Sequence, residues 1–401
     1  EKDILEKTKN DIKTKKDANY FLNAIELLNK NDIKKLNNDE NYEYDYLYPH
    51  LDDENFNIKI FNKEEFNEHS LNVKLDKKKS LQSMANKICY KEFSLAPHQL
   101  FVKNFLSKYT PYNSLLLYHG LGTGKTCSAI GIAEETREFL KLNNINNKIL
   151  IIASPKVQKN FRLQLFDDRK LKYINGIWSI NNCAGNNLLK DINNLKIKIS
   201  KEKVIKIVEN IINNFYEFKG YIEFANDITK LMNIDMHIPI NKRQNFIKLK
   251  FQKYYGNRLI IIDEIHNIRE TNDESNKIIA NNLLTMIKFT DNVKLVLLSA
   301  TPMFNSYKEI IYITNLLNLN DRRSKIDIKD VFDENGNFLN DDNGYEKGKE
   351  LLKRKLNGYI SYVKGDNPLT FPFRILPELF SPRNSLKKMK YPINDLLGNK
   401  I

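Results

Sequence analysis

A glycine-rich turn near residue 120 is the strongest chemical feature of the sequence. It follows the apolar run Ser114-Leu-Leu-Leu-Tyr-His119 and leads into a segment with helical spacing. Phosphate oxygens need several converging backbone N–H donors, and glycine permits the close approach and the unusual φ angles of such a turn. The free N–H groups of the following helix add a positive dipole end. The sequence therefore predicts a phosphate-binding loop between a strand and a helix.

Individual residues of this turn have distinct expected roles. Lys125 would reach the β and γ phosphates of a nucleotide, and the Thr126 hydroxyl would hold Mg²⁺. His119 stands where the usual pattern has its first glycine, so we expect a slightly different bend. A chance glycine-rich turn is the alternative, and the order of strand, turn and helix argues against it. The expected nucleotide contacts are Gly120, Leu121, Gly122, Thr123, Gly124, Lys125 and Thr126.

Two adjacent carboxylates end a second apolar run. Arg258-Leu-Ile-Ile-Ile-Asp-Glu-Ile-His266 puts Asp263 and Glu264 at the carboxyl end of a predicted strand, where open α/β sheets bind ligands. Asp263 is suited to bind Mg²⁺ beside the nucleotide, and Glu264 to orient or deprotonate an attacking water. His266 is a candidate relay at the same site. Alone, the acid pair would more simply be a solvated helix cap; together with the phosphate loop, a catalytic role is favoured.

Three further polar side chains could complete this site. Ser299 and Thr301 follow the apolar run that ends at Leu298, so they fall at the same sheet edge and could sense the γ-phosphate. Gln99 lies about 25 residues before Lys125, and its amide could pair with a donor and an acceptor on adenine. We therefore count Lys125, Glu264, Ser299 and Thr301 as candidate catalytic residues.

The elements that would position these residues alternate between short apolar runs and amphipathic helices, which is typical of an α/β fold with a parallel sheet. Each run is almost wholly apolar, as a strand covered by helices on both faces must be. The strands are predicted at Ser114 to Tyr118, Lys148 to Ala153, Arg258 to Ile262 and Val293 to Leu298.

The chain is expected to form three regions. Residues 1–90 would form a separate N-terminal region, residues 91–305 the ATP-binding lobe, and residues 306–401 a linker and the start of a second lobe. The 138 residues from Lys125 to Asp263 are long for a minimal lobe, so about 162–257 are read as a largely helical insertion. This part is basic, with 22 Lys and Arg against 9 Asp and Glu between Lys141 and Arg258. It could contact a phosphate backbone or be a solvated helix face.

Composition narrows the class of protein further. The net charge of +14 favours polyanionic partners. Cys89, Cys127 and Cys183 are scattered without a CxxC pair, which argues against a zinc site and a disulfide framework and favours a reducing compartment. No apolar run is long enough to span a bilayer, so no membrane partner is expected.

Five motifs in order carry a family resemblance: Pro97-His-Gln99, His119-Gly-Leu-Gly-Thr-Gly-Lys-Thr126, Ala153-Ser-Pro155, Asp263-Glu-Ile-His266 and Ser299-Ala-Thr301. They resemble motifs Q, I, Ia, II and III of superfamily 2 DExH helicases. The chain is similar to the large-DNA-virus branch in particular, which includes the poxvirus early transcription factor small subunit, nucleoside triphosphate phosphohydrolase I and mimivirus-like helicases. Asn181-Asn-Cys-Ala-Gly-Asn186 and the stretch from Gly358 to Pro377 add to that likeness.

The resemblance implies the first, RecA-like lobe of an ATP-dependent translocase or helicase that uses ATP and Mg²⁺ and serves viral or plasmid transcription, with DNA favoured over RNA as its track. It assigns adenine to Gln99, the nucleic-acid backbone to Ser154, Pro155 and Lys156, and coupling to Ser299 and Thr301. The expected partners are RNA polymerase or other transcription proteins. The expected location is cytoplasmic, in a viral factory or virion, with the nucleus as an alternative. No segment after Phe380 matches the motifs of the family's second lobe, so slow hydrolysis by this chain alone is expected.

Two other functions remain open at this point. The lobe could be a non-catalytic ATP-binding module that docks on a transcription complex. It could also be the translocase subunit of a restriction system, acting beside a nuclease or methyltransferase.

Overall fold

A computed structural model of the chain describes residues 47–68, 83, 94–195, 199–233, 239, 242–268, 274–340 and 347–364. The chain divides into two compact units. The first comprises residues 1–73 and 92–365 and contains every element named below. The second comprises residues 74–91 and 366–401, of which the structure describes Ser83 alone.

The centre of the first unit is a six-stranded sheet in which all paired neighbours run parallel. In chain order its strands are β1 (Ser114–His119), β2 (Ile149–Ile152), β5 (Tyr216–Lys219), β6 (Leu259–Ile262), β7 (Lys294–Ser299) and β8 (Ile360–Val363). Their order across the sheet is β5-β2-β6-β7-β1-β8. A short antiparallel hairpin, β3 (Lys172–Ile174) and β4 (Ile177–Ser179), lies apart from it.

Helices flank these strands in the α/β pattern that the sequence predicts. They are α1 (Phe56–Phe61), α2 (Glu64–Asn67), α3 (Pro97–Phe105), α4 (Lys125–Leu142), α5 (Pro155–Leu165), α6 (Lys190–Asn194), α7 (Lys201–Phe215), α8 (Tyr221–Met232), α9 (Arg243–Tyr255), α10 (Glu274–Phe289), α11 (Glu309–Asn320), α12 (Ile328–Val331) and α13 (Lys347–Leu356). No helix in the described part of the chain is long and apolar enough to cross a membrane.

The strands separate two hydrophobic clusters, because successive side chains of a strand point to opposite faces. On β6, Leu259 and Ile261 join one cluster, while Ile260 and Ile262 join the other. Both faces are therefore covered, and every residue of β2, β6 and β7 is buried. This double burial explains why all four strands expected from apolar runs are found, each within one residue of its predicted ends.

Three of the expected region boundaries do not match the packing. Phe56, in the region expected to stand apart, is buried in the same cluster as Phe105. Strand β5 lies within the stretch expected to be an insertion, yet it pairs with β2 in the central sheet. Strand β8 lies beyond the expected end of the lobe at residue 305, yet it pairs with β1. The core thus includes residues from all three expected regions, and the sheet takes its strands from the last two.

The expectation of unpaired cysteines is also wrong for two of the three. Cys127 and Cys183 form a disulfide across 56 residues of chain. Cys89 lies outside the described residues. The pairing depends on how the fold brings α4 beside the turn after β4, which spacing in the sequence does not reveal.

Candidate functional site

The turn between β1 and α4, residues 119–126, is termed the phosphate loop below. Gly122 and Gly124 have φ angles of 80° and 79°, which only glycine adopts at little cost. Gly124 is the N-cap residue of α4, a helix of 18 residues whose first N–H groups face the loop. Leu121, by contrast, is 81% exposed. The conformation matches the anion cradle that the glycine pattern predicts.

Two side chains of α3 brace this loop from behind. The Gln99 side chain accepts a hydrogen bond from the Ala96 N–H at 2.8 Å and donates one to the Gly124 carbonyl at 3.1 Å. His98 Nε2 lies 3.0 Å from the Thr123 carbonyl. Gln99 is buried, and the two hydrogen bonds of its amide hold the shape of the loop. Sequence reasoning missed this bracing; the adenine contact expected of Gln99 remains a prediction.

His119 is fully buried at the end of β1. Its Nε2 lies 2.9 Å from the Ser361 hydroxyl of β8, and its ring packs edge-on against His98. Burial, followed by the nearby His98 and Lys125, lowers the pKa of His119 to about 4. The ring is therefore neutral at neutral pH. Beside it, the Gly120 N–H donates to the Val363 carbonyl at 2.9 Å, so β8 supports the start of the loop.

Lys125 faces the acid pair, Asp263 and Glu264, across this part of the sheet edge. Its amine lies 3.8 Å from Glu264 Oε1 and is buried without a hydrogen-bond partner. A buried ammonium normally has its donors satisfied, and three are available here. These donors fit the phosphate oxygens of a nucleotide as acceptors.

Asp263 is nearly fully buried in the same place. Burial and, to a lesser extent, the neighbouring Glu264 carboxylate raise its pKa to about 6, against the opposing effects of its hydrogen bond with the Glu264 N–H and of Lys125. An ionised Asp263 would therefore gain strongly from a cation. The described residues hold no group of three or more His, Cys, Asp or Glu able to bind a metal alone. This donor set fits Mg²⁺, which binds one or two carboxylates together with phosphate oxygens and water.

Glu264 adopts a left-handed backbone conformation, with φ of 46°. Such angles cost energy for a residue with a side chain and cluster at functional sites. The conformation sets its carboxylate between Lys125 and His266, whose Nδ1 lies 3.2 Å from Glu264 Oε2. His266 Nδ1 also lies 3.0 Å from the buried Ser299 hydroxyl. The His266 ring thus links the acid pair to the end of β7.

Ser299 carries this link one step further, because its hydroxyl accepts a hydrogen bond from the Thr301 N–H at 3.0 Å. Thr301 itself is exposed.

Sequence reasoning missed one residue of this site, Tyr221 at the start of α8. Its hydroxyl donates a hydrogen bond to the Asp263 carbonyl at 2.7 Å. Its burial raises its pKa to about 12, so the hydroxyl keeps its proton.

The three residues expected to meet nucleic acid lie at the carboxyl end of β2. Ser154 is the N-cap residue of α5, and no side-chain cap hydrogen bond forms there. Pro155 and Lys156 are exposed. The structure does not bring these residues into the cluster around Lys125 and Asp263, and their expected contact with nucleic acid stays a prediction.

No family model matches the chain. Curated relatives do match it. A mimivirus protein named "Putative ATP-dependent RNA helicase L377" is 26% identical over 390 residues, covering 93% of this chain and 32% of the relative. A second mimivirus protein, named "Putative ATP-dependent RNA helicase R563", is 28% identical over 317 residues, covering 75% of this chain and 46% of the relative. The early transcription factor 70 kDa subunit of Melanoplus sanguinipes entomopoxvirus is 25% identical, covering 75% and 35%.

The chain is related to helicase-like ATPases of large DNA viruses. It spans only about a third to a half of the length of these relatives. Among solved structures, the SWI2/SNF2 ATPase core of Sulfolobus solfataricus in complex with dsDNA is 17% identical and covers 68% of this chain and 45% of that one. Its TM-score of 0.37 is too low to inform the function.

Proposed function

We propose that this viral helicase-like chain binds ATP with Mg²⁺ and hydrolyses it to drive movement along nucleic acid. The observation that supports this most directly is the Lys125 amine, buried without a hydrogen-bond partner and 3.8 Å from Glu264 Oε1. Phosphoryl transfer needs a loop that binds phosphate, a cation to neutralise it and carboxylates for the metal and the attacking water. The phosphate loop, Lys125 and the acid pair bring these groups together at one sheet edge.

In this proposal the phosphate loop holds the nucleotide through its backbone N–H groups, and Lys125 neutralises the β and γ phosphates. Thr126 and Asp263 would hold Mg²⁺, which would offset charge on the transferring phosphoryl group. Gln99 keeps Gly124 in its left-handed conformation and is expected to contact adenine as well. Since Gly124 begins α4, any shift of Gln99 would displace the first turn of that helix.

Glu264 is the proposed base that orients or deprotonates the attacking water. Two side chains flank it on opposite sides: the Lys125 amine lies by Oε1 and the His266 ring by Oε2. Movement of the carboxylate would be felt by His266, then by Ser299 and Thr301 through the hydrogen bonds described above. We propose that this chain of contacts reports the state of the γ-phosphate to the end of β7.

The track is proposed to be DNA more than RNA, contacted through Ser154, Pro155 and Lys156. Relatives named as early transcription factor subunits support a role in viral or plasmid transcription, beside RNA polymerase or other transcription proteins.

ATP hydrolysis with and without DNA or RNA tests the proposal. Glu264→Gln should retain ATP binding but lose at least about a hundredfold in nucleic-acid-stimulated turnover, as expected when a general base is removed. Glu209→Gln, on the exposed face of α7, is the matched control and should hydrolyse ATP like the wild type. Binding without any stimulated turnover in the wild type, and no effect of Glu264→Gln, would favour the docking-module alternative and refute the motor.

A further inference from the structure

The disulfide between Cys127 and Cys183 joins the phosphate loop to a distant part of the chain. Cys127 follows Thr126 and lies in the first turn of α4, while Cys183 lies in the turn after β4. The two Cα atoms are 5.0 Å apart, within the range that disulfides span without backbone movement. The fold itself therefore presents the two sulfur atoms to each other.

The surroundings of Cys183 suit both oxidation states. Its sulfur lies 3.1 Å from Gln164 Oε1, an acceptor that a thiol hydrogen could meet once the bond is reduced. Cys183 is buried, whereas Cys127 is only partly buried. A thiol or disulfide reagent from solution would therefore react at Cys127, and Cys183 would act as its buried partner.

Hydrogen bonds next to Cys183 also connect the disulfide to α5. Asn182, next to Cys183, donates a buried hydrogen bond of 2.6 Å to the Leu165 carbonyl at the end of α5. Gln164 belongs to the same helix, which begins directly after Ser154. The disulfide thus ties the first turn of α4 to the helix that starts at the expected nucleic-acid contact.

We propose that Cys127 and Cys183 form a reversible redox switch in which the disulfide form binds nucleotide more tightly than the dithiol form. The inference rests on the proposed nucleotide-binding function. The phosphate loop already has the left-handed glycines of an anion cradle, so a covalent tie beside Thr126 restricts the free loop to a conformation that can bind. Such preorganisation raises affinity because less freedom is lost on binding.

Oxidation needs a partner, and a small-molecule disulfide of the glutathione class balances the step. The Cys127 thiol attacks one sulfur of the reagent, forming a mixed disulfide and releasing one thiol. The Cys183 thiol then attacks the Cys127 sulfur, and the second reagent thiol leaves. Two protein thiols lose two electrons and two protons, which convert the reagent into two thiols. A dithiol reductant reverses both steps.

The test uses the chain with Cys89→Ser, so that only the two cysteines of interest react. The chain is treated with oxidised glutathione or with dithiothreitol, the cross-linked peptide is measured by mass spectrometry, and Kd for MgADP is measured by calorimetry. We expect the oxidised form to bind MgADP at least fivefold more tightly than the reduced form. Adding Cys183→Ser, which keeps a hydroxyl beside Gln164, should remove the gain: this variant should bind at the reduced value in dithiothreitol and no more tightly after oxidised glutathione, when Cys127 can carry only a mixed disulfide.

The outcomes separate the inference from the proposed function. MgADP binding that is equal in the two forms, or weaker in the oxidised form, would overturn the switch while leaving nucleotide binding intact. Failure of oxidised glutathione to form the cross-linked peptide would overturn it equally. If the disulfide forms but neither the oxidised nor the reduced chain binds MgADP, the proposed nucleotide-binding function is refuted, and the switch with it. Circular dichroism of the Cys183→Ser variant checks that it is folded.

Discussion

Replacing Asp263 by Asn should stabilise the protein while removing its response to magnesium and nucleotide. The pKa of Asp263 is about 6 in the fold and 3.8 for an ordinary aspartate. Because the folded-state pKa is the higher one, the contribution of this group to stability is fully present below pH 3.8 and is lost as the pH rises through 6. A shift of about two units corresponds to roughly 3 kcal/mol of destabilisation at pH 7.5.

Asn has nearly the same shape but carries no charge, so Asp263→Asn should recover most of that energy. For a unit of this size we expect an increase in Tm of about 4 °C at pH 7.5. At pH 5 the wild-type carboxyl is already mostly protonated in the fold, and the gain should fall to about half, roughly 1.5 kcal/mol. Thermal unfolding in a series of buffers measures both values.

The matched control is Asp168→Asn, which changes an exposed carboxylate and should leave Tm within about 1 °C. MgATP should raise the Tm of the wild type and of this control but not that of Asp263→Asn. An Asp263→Asn variant that is less stable than the wild type at pH 7.5, or whose gain does not change with pH, would refute the reasoning. So would an unimpaired response to MgATP.

Two further predictions concern the loop and the basic surface. Gly124→Ala would place a Cβ 2.5 Å from Gln99 Nε2 at a φ of +79°, so MgADP affinity should fall at least tenfold by calorimetry, whereas Gly220→Ala, which meets open space, should bind normally. Neutralising four basic residues together should make DNA affinity less dependent on salt. The slope of log affinity against log salt concentration should become shallower by about 0.9 for each lost phosphate contact. An unchanged slope in filter-binding titrations would mean that these four side chains are solvated and do not contact DNA. The four are Lys242, Arg243, Lys248 and Lys250.

The sequence predicts the parts of the fold whose burial is nearly complete. The four expected strands are continuous apolar runs, which a doubly covered parallel strand must be. It misses β5 and β8 because polar residues interrupt them, Glu217 and Lys219 in β5 and Ser361 in β8, whereas the equally short β2 and β6 are wholly apolar. Both lie at the edges of the sheet, where burial is incomplete and the pattern is correspondingly weak.

The sequence likewise predicts only part of the candidate site. Local order in the sequence indicates the phosphate loop and the acid pair, because a strand end and the turn after it are neighbours along the chain. Contacts between distant segments are not predicted: Gln99 with Gly124, Tyr221 with Asp263, and Cys127 with Cys183. Each depends on which helix the fold packs behind a strand, and no short spacing encodes that choice.

The hydrogen bond from the Gly120 N–H to the Val363 carbonyl connects β8 directly to the phosphate loop, so a force on β8 would reach that loop. Val363 is the last residue of β8, so tension on the chain beyond Lys364 would pass along that strand to the first residues of the nucleotide-holding turn. The Ser361 contact with His119 provides a second attachment two residues earlier. A pull of this kind would act on the phosphate loop directly, without first passing through Asp263 and Glu264, the proposed catalytic pair that follows β6.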